Sequence, residues 1–214
     1  MRYSNILLLE WRYGKRMQQP DYRINDVELN PEGSAIIVMN PDEDAFRHSF
    51  SKFEFITSMQ VLKKAAAKYG IPMIGIHREY RNSRTTEYIM RKQQQKMISL
   101  MSPSSFDEEY LRQFRDLDLR SSYTIYSEDI FTSDDVAERL DSMNVRSVLI
   151  SGFYTESDVY VSAVEALIHD YFPFVVSDAT STISERVYFE ALDLLAQHVE
   201  VIDSRDLIRV WGVD

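Results

Sequence analysis

The chain has 214 residues with 34 acidic against 24 basic side chains, a net charge of −10, and a surface of that average sign repels a polyanion, which disfavours nucleic-acid binding. Its 44% hydrophobic content excludes a disordered chain, no window reaches the roughly 18 consecutive apolar residues of a membrane span, and the run Ile6–Leu9 is too short for a signal-peptide core. There is no cysteine, which removes disulfides, thiolate metal ligands and a thiol nucleophile together and leaves the cytoplasm as the default compartment.

One domain suits this length. Residues 1–33 are polar and aromatic, with Trp11, Tyr13 and Tyr22 and no clear period. They read as an arm, either a loop packed on the domain or an extension reaching a neighbouring subunit. Ser34–Met39 (SAIIVM) is a continuous β-branched run, as expected of a strand buried on both faces. The spacing of Phe53, Ile56, Val61, Leu62 and Ala65 predicts a helix over Phe50–Tyr69, ended by Gly70 and Pro72. Met73–Ile76 is a strand, Val136–Met143 a short helix capped by Asp134 or Ser133, and Ser147–Ser151 a strand closed by Gly152. Glu156–His169 is a helix, Phe172–Val176 a strand, Glu185–Gln197 a helix and Val199–Ile202 a last strand. This alternation predicts an α/β fold for residues 34–214: a three-layer α/β/α sandwich around a mostly parallel sheet of about six strands. Ligands in such sheets lie beyond the carboxyl ends of the strands, here Asn40, His77–Arg78 and Ser151–Tyr154.

Three stretches carry a family resemblance. SAIIVMNPDEDAF (Ser34–Phe46) looks like an opening strand that ends in a catalytic aspartate and runs into a polar turn. SVLISGFYTESDVYVSAVEALIHDYFPFVVSDATST (Ser147–Thr182) looks like a strand, glycine, tight turn and nucleophile-bearing helix start, followed by a strand ending in Ser-Asp-Ala. YTIYSEDIFTSDDVAERL (Tyr123–Leu140) looks like the segment of a catalytic lysine. With their spacing, these resemble the isochorismatase-like (cysteine hydrolase) family over residues 29–204. Pro31, the long arm before it and the turn with Phe153 and Tyr154 lean toward the isochorismatase branch, which hydrolyses a vinyl ether on a chorismate-derived acid.

The resemblance implies an aspartate acting as general acid or base, a lysine beside it and a cysteine opening the helix. The matching positions here hold Asn40, a residue near Ile125, and Asp158. An asparagine amide does not titrate near neutral pH and shuttles no proton, and isoleucine supplies no charge. A carboxylate at a helix start is favoured in its ionised form by about 0.3–1 kcal/mol, a poor acid and a weak nucleophile; it is also a good cap. The expectation is therefore a pseudoenzyme: a degenerate catalytic set on a hydrolase fold, binding a small anion. The alternative is an active hydrolase with a re-sited carboxylate, Asp158, Asp42 or Asp44, made acidic at neutral pH by burial against Phe153 and Tyr154.

Arg78, Arg81, Arg84, Arg91, Lys92 and Lys96 form a basic segment that starts at a strand end and runs into a loop, Ser99–Phe106. Arg78 and Arg81 are candidates to grip a substrate carboxylate, with Phe153, Tyr154 and Thr155 lining the same turn; the alternative is a solvated helix face, and the insertion would suit a lid. His48 with Asp44, and His77, make a thin metal constellation, so no metal or other cofactor is expected. The resemblance also implies a homo-oligomer, for which the aromatic arm and the Met- and Tyr-rich helices supply apolar surface.

Overall fold

The computed structural model describes residues 29–81, 83–84, 86–92 and 107–213. The arm reading of residues 1–28, Lys96 and the 99–106 loop lie outside these residues. In chain order the elements are β1 (Ser34–Met39), α1 (Glu43–His48), α2 (Lys52–Tyr69), β2 (Met73–Arg78), α3 (Asp107–Asp116), β3 (Ser121–Ile125), α4 (Asp134–Ser142), β4 (Ser147–Phe153), α5 (Tyr160–Ile168), β5 (Phe172–Ser181), α6 (Glu185–Leu195), β6 (Glu200–Ile202) and α7 (Ser204–Trp211). Residues 86–92 are also helical. The six strands form one sheet in the order β3-β2-β1-β4-β5-β6. Every pairing is parallel, as the strand–helix alternation predicts.

Period-two alternation sorts the central strand between two cores. Ile36 and Val38 of β1 face a layer built from Phe46, Phe55, Leu62 and Leu207, supplied by α1, α2 and α7. Ala35, Ile37 and Met39 face the opposite layer, with Val136, Leu140, Ala163 and Leu195 of α4, α5 and α6. This is the three-layer sandwich. Leu29 is buried in the first layer, and its carbonyl accepts a hydrogen bond from Trp211 Nε1 at 2.8 Å.

Several elements run beyond their sequence-predicted ends. β2 continues to Arg78, β4 to Phe153, and β5 to Ser181 through the polar run Ser177–Ser181. The helix expected over Glu156–His169 begins instead as a π-helical turn, Thr155–Val159, and becomes α-helical only at Tyr160. Asp158 lies inside that turn and caps nothing. The turn is one residue wider than an α-helical one: Val159 N–H donates back to Tyr154 O, five residues earlier, at 3.1 Å. Gly70 closes α2 in the left-handed conformation at φ 66°, as its position predicts.

Candidate functional site

The order of the sheet reverses between β1 and β4, which is where a doubly wound fold leaves a crevice. β1 delivers Asn40 there, β2 delivers Arg78, and the turn after β4 delivers Asp158. Gly152 makes this convergence possible. It sits at φ 96°, and a Cβ on it would lie 2.1 Å from Met39 O. Only glycine lets β4 pass so close to the end of β1. The following Phe153–Tyr154 peptide is cis.

Asn40 is buried and held at both ends of its amide. Its Nδ2 donates to Phe153 O at 2.6 Å, and its Oδ1 accepts from Arg78 N–H at 2.8 Å. The side chain thus ties β1 to β2 and to the end of β4, with φ 46° at its own backbone.

Arg78 is a buried cation, with its side chain 5% exposed, and its guanidinium is committed on all sides. Nε lies 2.8 Å from Asp158 Oδ1, one terminal nitrogen bonds Glu128 Oε1, and the other donates to Tyr80 Oη at 2.8 Å. The Tyr80 ring also stacks against the guanidinium, 4.7 Å from centroid to Cζ. Asp158 is fully buried. Its Oδ2 accepts from Ser157 Oγ at 2.8 Å. Its Oδ1 is in charge contact with Arg78, but the N–H axis misses the oxygen, and Oδ1 has no aligned hydrogen bond among the described residues. Burial pushes the Asp158 carboxyl above its ordinary value. The Arg78 charge opposes that push, and Ser157 and the neighbouring Asn40 amide oppose it more weakly.

The remaining candidates separate by environment. Asp42 caps α1, accepting from Ala45 N–H at 2.9 Å, and lies 3.4 Å from His77 Nδ1. Asp44 projects to solvent, 3.7 Å from His48 Nδ1. These are two separate Asp–His pairs, and no group of three metal-ligating side chains occurs among the described residues. Of the three carboxylates, Asp158 alone is buried beside Asn40 and Arg78. Ile125 is in the core of the α4–α6 layer, opposite Arg78 in the β2–β3 register. The Phe153 ring is in the other core, stacked on Phe55 at 4.5 Å, and only its carbonyl reaches the site. The Thr155 hydroxyl is buried against Thr180 Oγ1 at 3.0 Å. Tyr154 is half-buried at the rim, and burial followed by the charges of Asp42, Asp44 and Asp158 holds its hydroxyl protonated. Arg81 is exposed, over the Tyr126 ring at 5.3 Å.

Glu128, Tyr80 and Ser157 complete the charge network, and sequence reasoning missed all three. Tyr80, two residues past Arg78, was the one with a signal, since arginine and tyrosine so close to a strand end commonly stack. An open depression lined by Glu32, Gly33, Asp141, Asn144 and Arg146 lies at the opposite edge of the sheet, where β1 and β4 begin. It brings together none of the strand-end residues.

A family model, Isochorismatase domain, matches residues 34–206. No curated protein sequence matches the chain. Among solved structures, an isochorismatase family protein from Burkholderia thailandensis superposes with a TM-score of 0.64 at 18% identity, covering 86% of this chain and 97% of its own. YcaC from Pseudomonas aeruginosa, solved with hexane-2,5-diol and covalent acrylamide, gives 0.62 at 16% identity, covering 87% and 84%. The Escherichia coli YcaC gene product, described as an octameric hydrolase of unknown specificity, gives 0.55 at 18% identity, covering 88% and 85%. At these identities the likeness is one of fold.

Proposed function

The chain belongs to the isochorismatase domain family, and we propose that it is a member without the family's inherited catalysis, a homo-oligomeric protein that holds a small carboxylate-bearing molecule. The observation that carries this reading is the closed charge network at the strand ends. Asn40 spends both ends of its amide on backbone groups, and Arg78 is neutralised by Asp158 and Glu128. A group that moves a proton must be free to meet the substrate and titrate near the working pH. Asn40 does neither, and Ile125 brings no charge. The commitment of Arg78 leaves Arg81, exposed at the rim over Tyr126, as the guanidinium open to a small carboxylate. Self-association is supported by the octameric state named for the E. coli relative in fold, and cytoplasmic residence is the default that the absence of cysteine permits. No described helix is long and apolar enough to cross a membrane.

One observation favours a second reading, an active hydrolase acting on a chorismate-derived acid. The Asp158 carboxyl is raised by burial, the direction a general acid at neutral pH requires. A turnover assay separates the two. Purified protein is offered a chorismate-type vinyl ether and a panel of amides, beside Asp158→Asn. The non-catalytic reading expects wild type and variant to be indistinguishable from the uncatalysed rate. Turnover in the wild type that drops by about 10²-fold or more in Asp158→Asn, the scale of a lost general acid, establishes the second reading instead.

A further inference from the structure

The helical stretch at residues 86–92 lies largely at the surface. Every residue from Glu87 to Lys92 is exposed, including Tyr88 at 66%, Ile89 at 38% and Met90 at 42%. Three consecutive apolar residues about 100° apart spread apolar surface over more than one side of the helix. A helix of this length is marginal in water by itself, because helices in proteins draw their stability from a buried face. Tyrosine, methionine and arginine are also the side chains enriched where protein surfaces meet.

The charge of the segment indicates what covers it. From Glu79 to Lys92 the basic residues are Arg81, Arg84, Arg91 and Lys92, against the acidic Glu79 and Glu87, in a chain whose net charge is −10. A basic, partly apolar projection on an acidic molecule is complementary to the rest of that molecule. α4 offers the matching surface. Asp134, Glu138 and Asp141 fall at i, i+4 and i+7 along one exposed face, joined by Asp135.

We infer that residues 86–92 form the contact through which this chain binds a second copy of itself, with Arg91 and Lys92 directed at the acidic face of α4 on that copy. A twofold arrangement makes the contact twice, each subunit giving its helix and receiving its partner's. This inference rests on the self-association proposed above and assigns it a surface.

Sedimentation velocity on the full chain, across a concentration series and at low and high salt, tests it. The wild type is expected to associate, and to do so less at high salt, because steering between opposite charges is screened. Tyr88→Asp with Ile89→Asp is expected to raise the dissociation constant at least about tenfold, with unchanged far-ultraviolet circular dichroism because neither residue belongs to the buried core. Arg91→Glu with Lys92→Glu is expected to weaken association, and Asp134→Lys with Glu138→Lys added to the same chain to restore it. A wild type that stays monomeric throughout overturns self-association itself. An oligomer indifferent to Tyr88→Asp with Ile89→Asp leaves self-association standing and removes this helix from it. Failure of the charge exchange to restore association removes α4 as the partner surface.

Discussion

Asn40 and Asp158 occupy seats that the family resemblance gives to an acid and a thiol, and the side chains found there settle into each other's company through Arg78. A buried cation is tolerable only when paired. Arg78 is paired with one fully buried carboxylate and one half-exposed one. Removing it strands the buried one. Arg78→Met is expected to cost about 3–5 kcal/mol near neutral pH, the range for breaking a buried pair by deleting one partner. The pH dependence follows from the direction of the Asp158 shift. Its folded carboxyl is held above the ordinary value, so between the unfolded and folded values the native state binds more protons than the unfolded state. Stability contributed there falls as pH rises. Without Arg78 the carboxyl rises further, so the deficit of Arg78→Met against wild type should shrink as the pH is lowered and Asp158 becomes protonated in both. Urea denaturation midpoints measured from about pH 7 to about pH 4.5 check this. A deficit constant over that range would mean that Arg78 matters for its packing and its stack on Tyr80 rather than for its charge. Asp158→Leu added to Arg78→Met should recover much of the loss, since the pair then leaves no orphaned charge.

At the scale of elements, β4 and the turn after it decide whether a site exists. Gly152 brings the β4 backbone against Met39 so closely that a Cβ has no room, and its φ of 96° is one that other residues rarely adopt. Neither backbone can yield without undoing the β1–β4 pairing, which runs from Ser34–Ser147 to Met39–Gly152. Gly152→Ala is therefore expected to cost more than about 4 kcal/mol or to prevent folding. Gly70→Ala, which has a positive φ but open space around it, should cost only about 1 kcal/mol. Chemical denaturation of the two variants side by side makes the comparison. β1 and β4 were legible in the sequence because strands buried on both faces are continuous β-branched runs. β3 (SSYTI) and the polar end of β5 (SDATS) were not, because hydrogen bonding to a neighbouring strand, rather than side-chain pattern, holds them in the sheet. The site was legible to the same degree. Strand-end logic brought Asn40, Arg78 and the Ser151–Tyr154 turn to one place, and the family resemblance added Asp158. It could not find Glu128, which reaches Arg78 only because β3 pairs with β2 and the chain past it turns back. Nor could it distinguish a capped α-helix start from the π-helical turn that buries Asp158, since a single-turn difference in hydrogen bonding leaves no periodic trace.

Across the whole molecule, order is deepest where the two cores share a sheet and shallowest where the chain leaves it. Every residue of β1 and of β4 is buried, and each strand is bonded on both sides. Their amides open only when the domain unfolds, so they should exchange with deuterium last and at a rate set by global stability. Residues 87–92, all exposed, should exchange within the first moments at low protein concentration. The two rates should respond differently to concentration. A second copy seated on the 86–92 helix stabilises only the structure it touches, in proportion to its occupancy. Peptides spanning 86–92 should therefore gain protection as the chain is concentrated, while those from β1, already limited by global opening, change little. Hydrogen-exchange mass spectrometry at two concentrations roughly a hundredfold apart reads both at once, a ratio that shifts a linkage term by up to about 2.7 kcal/mol. Concentration-independent exchange in 86–92 would leave that helix without a partner and place any self-association elsewhere on the surface.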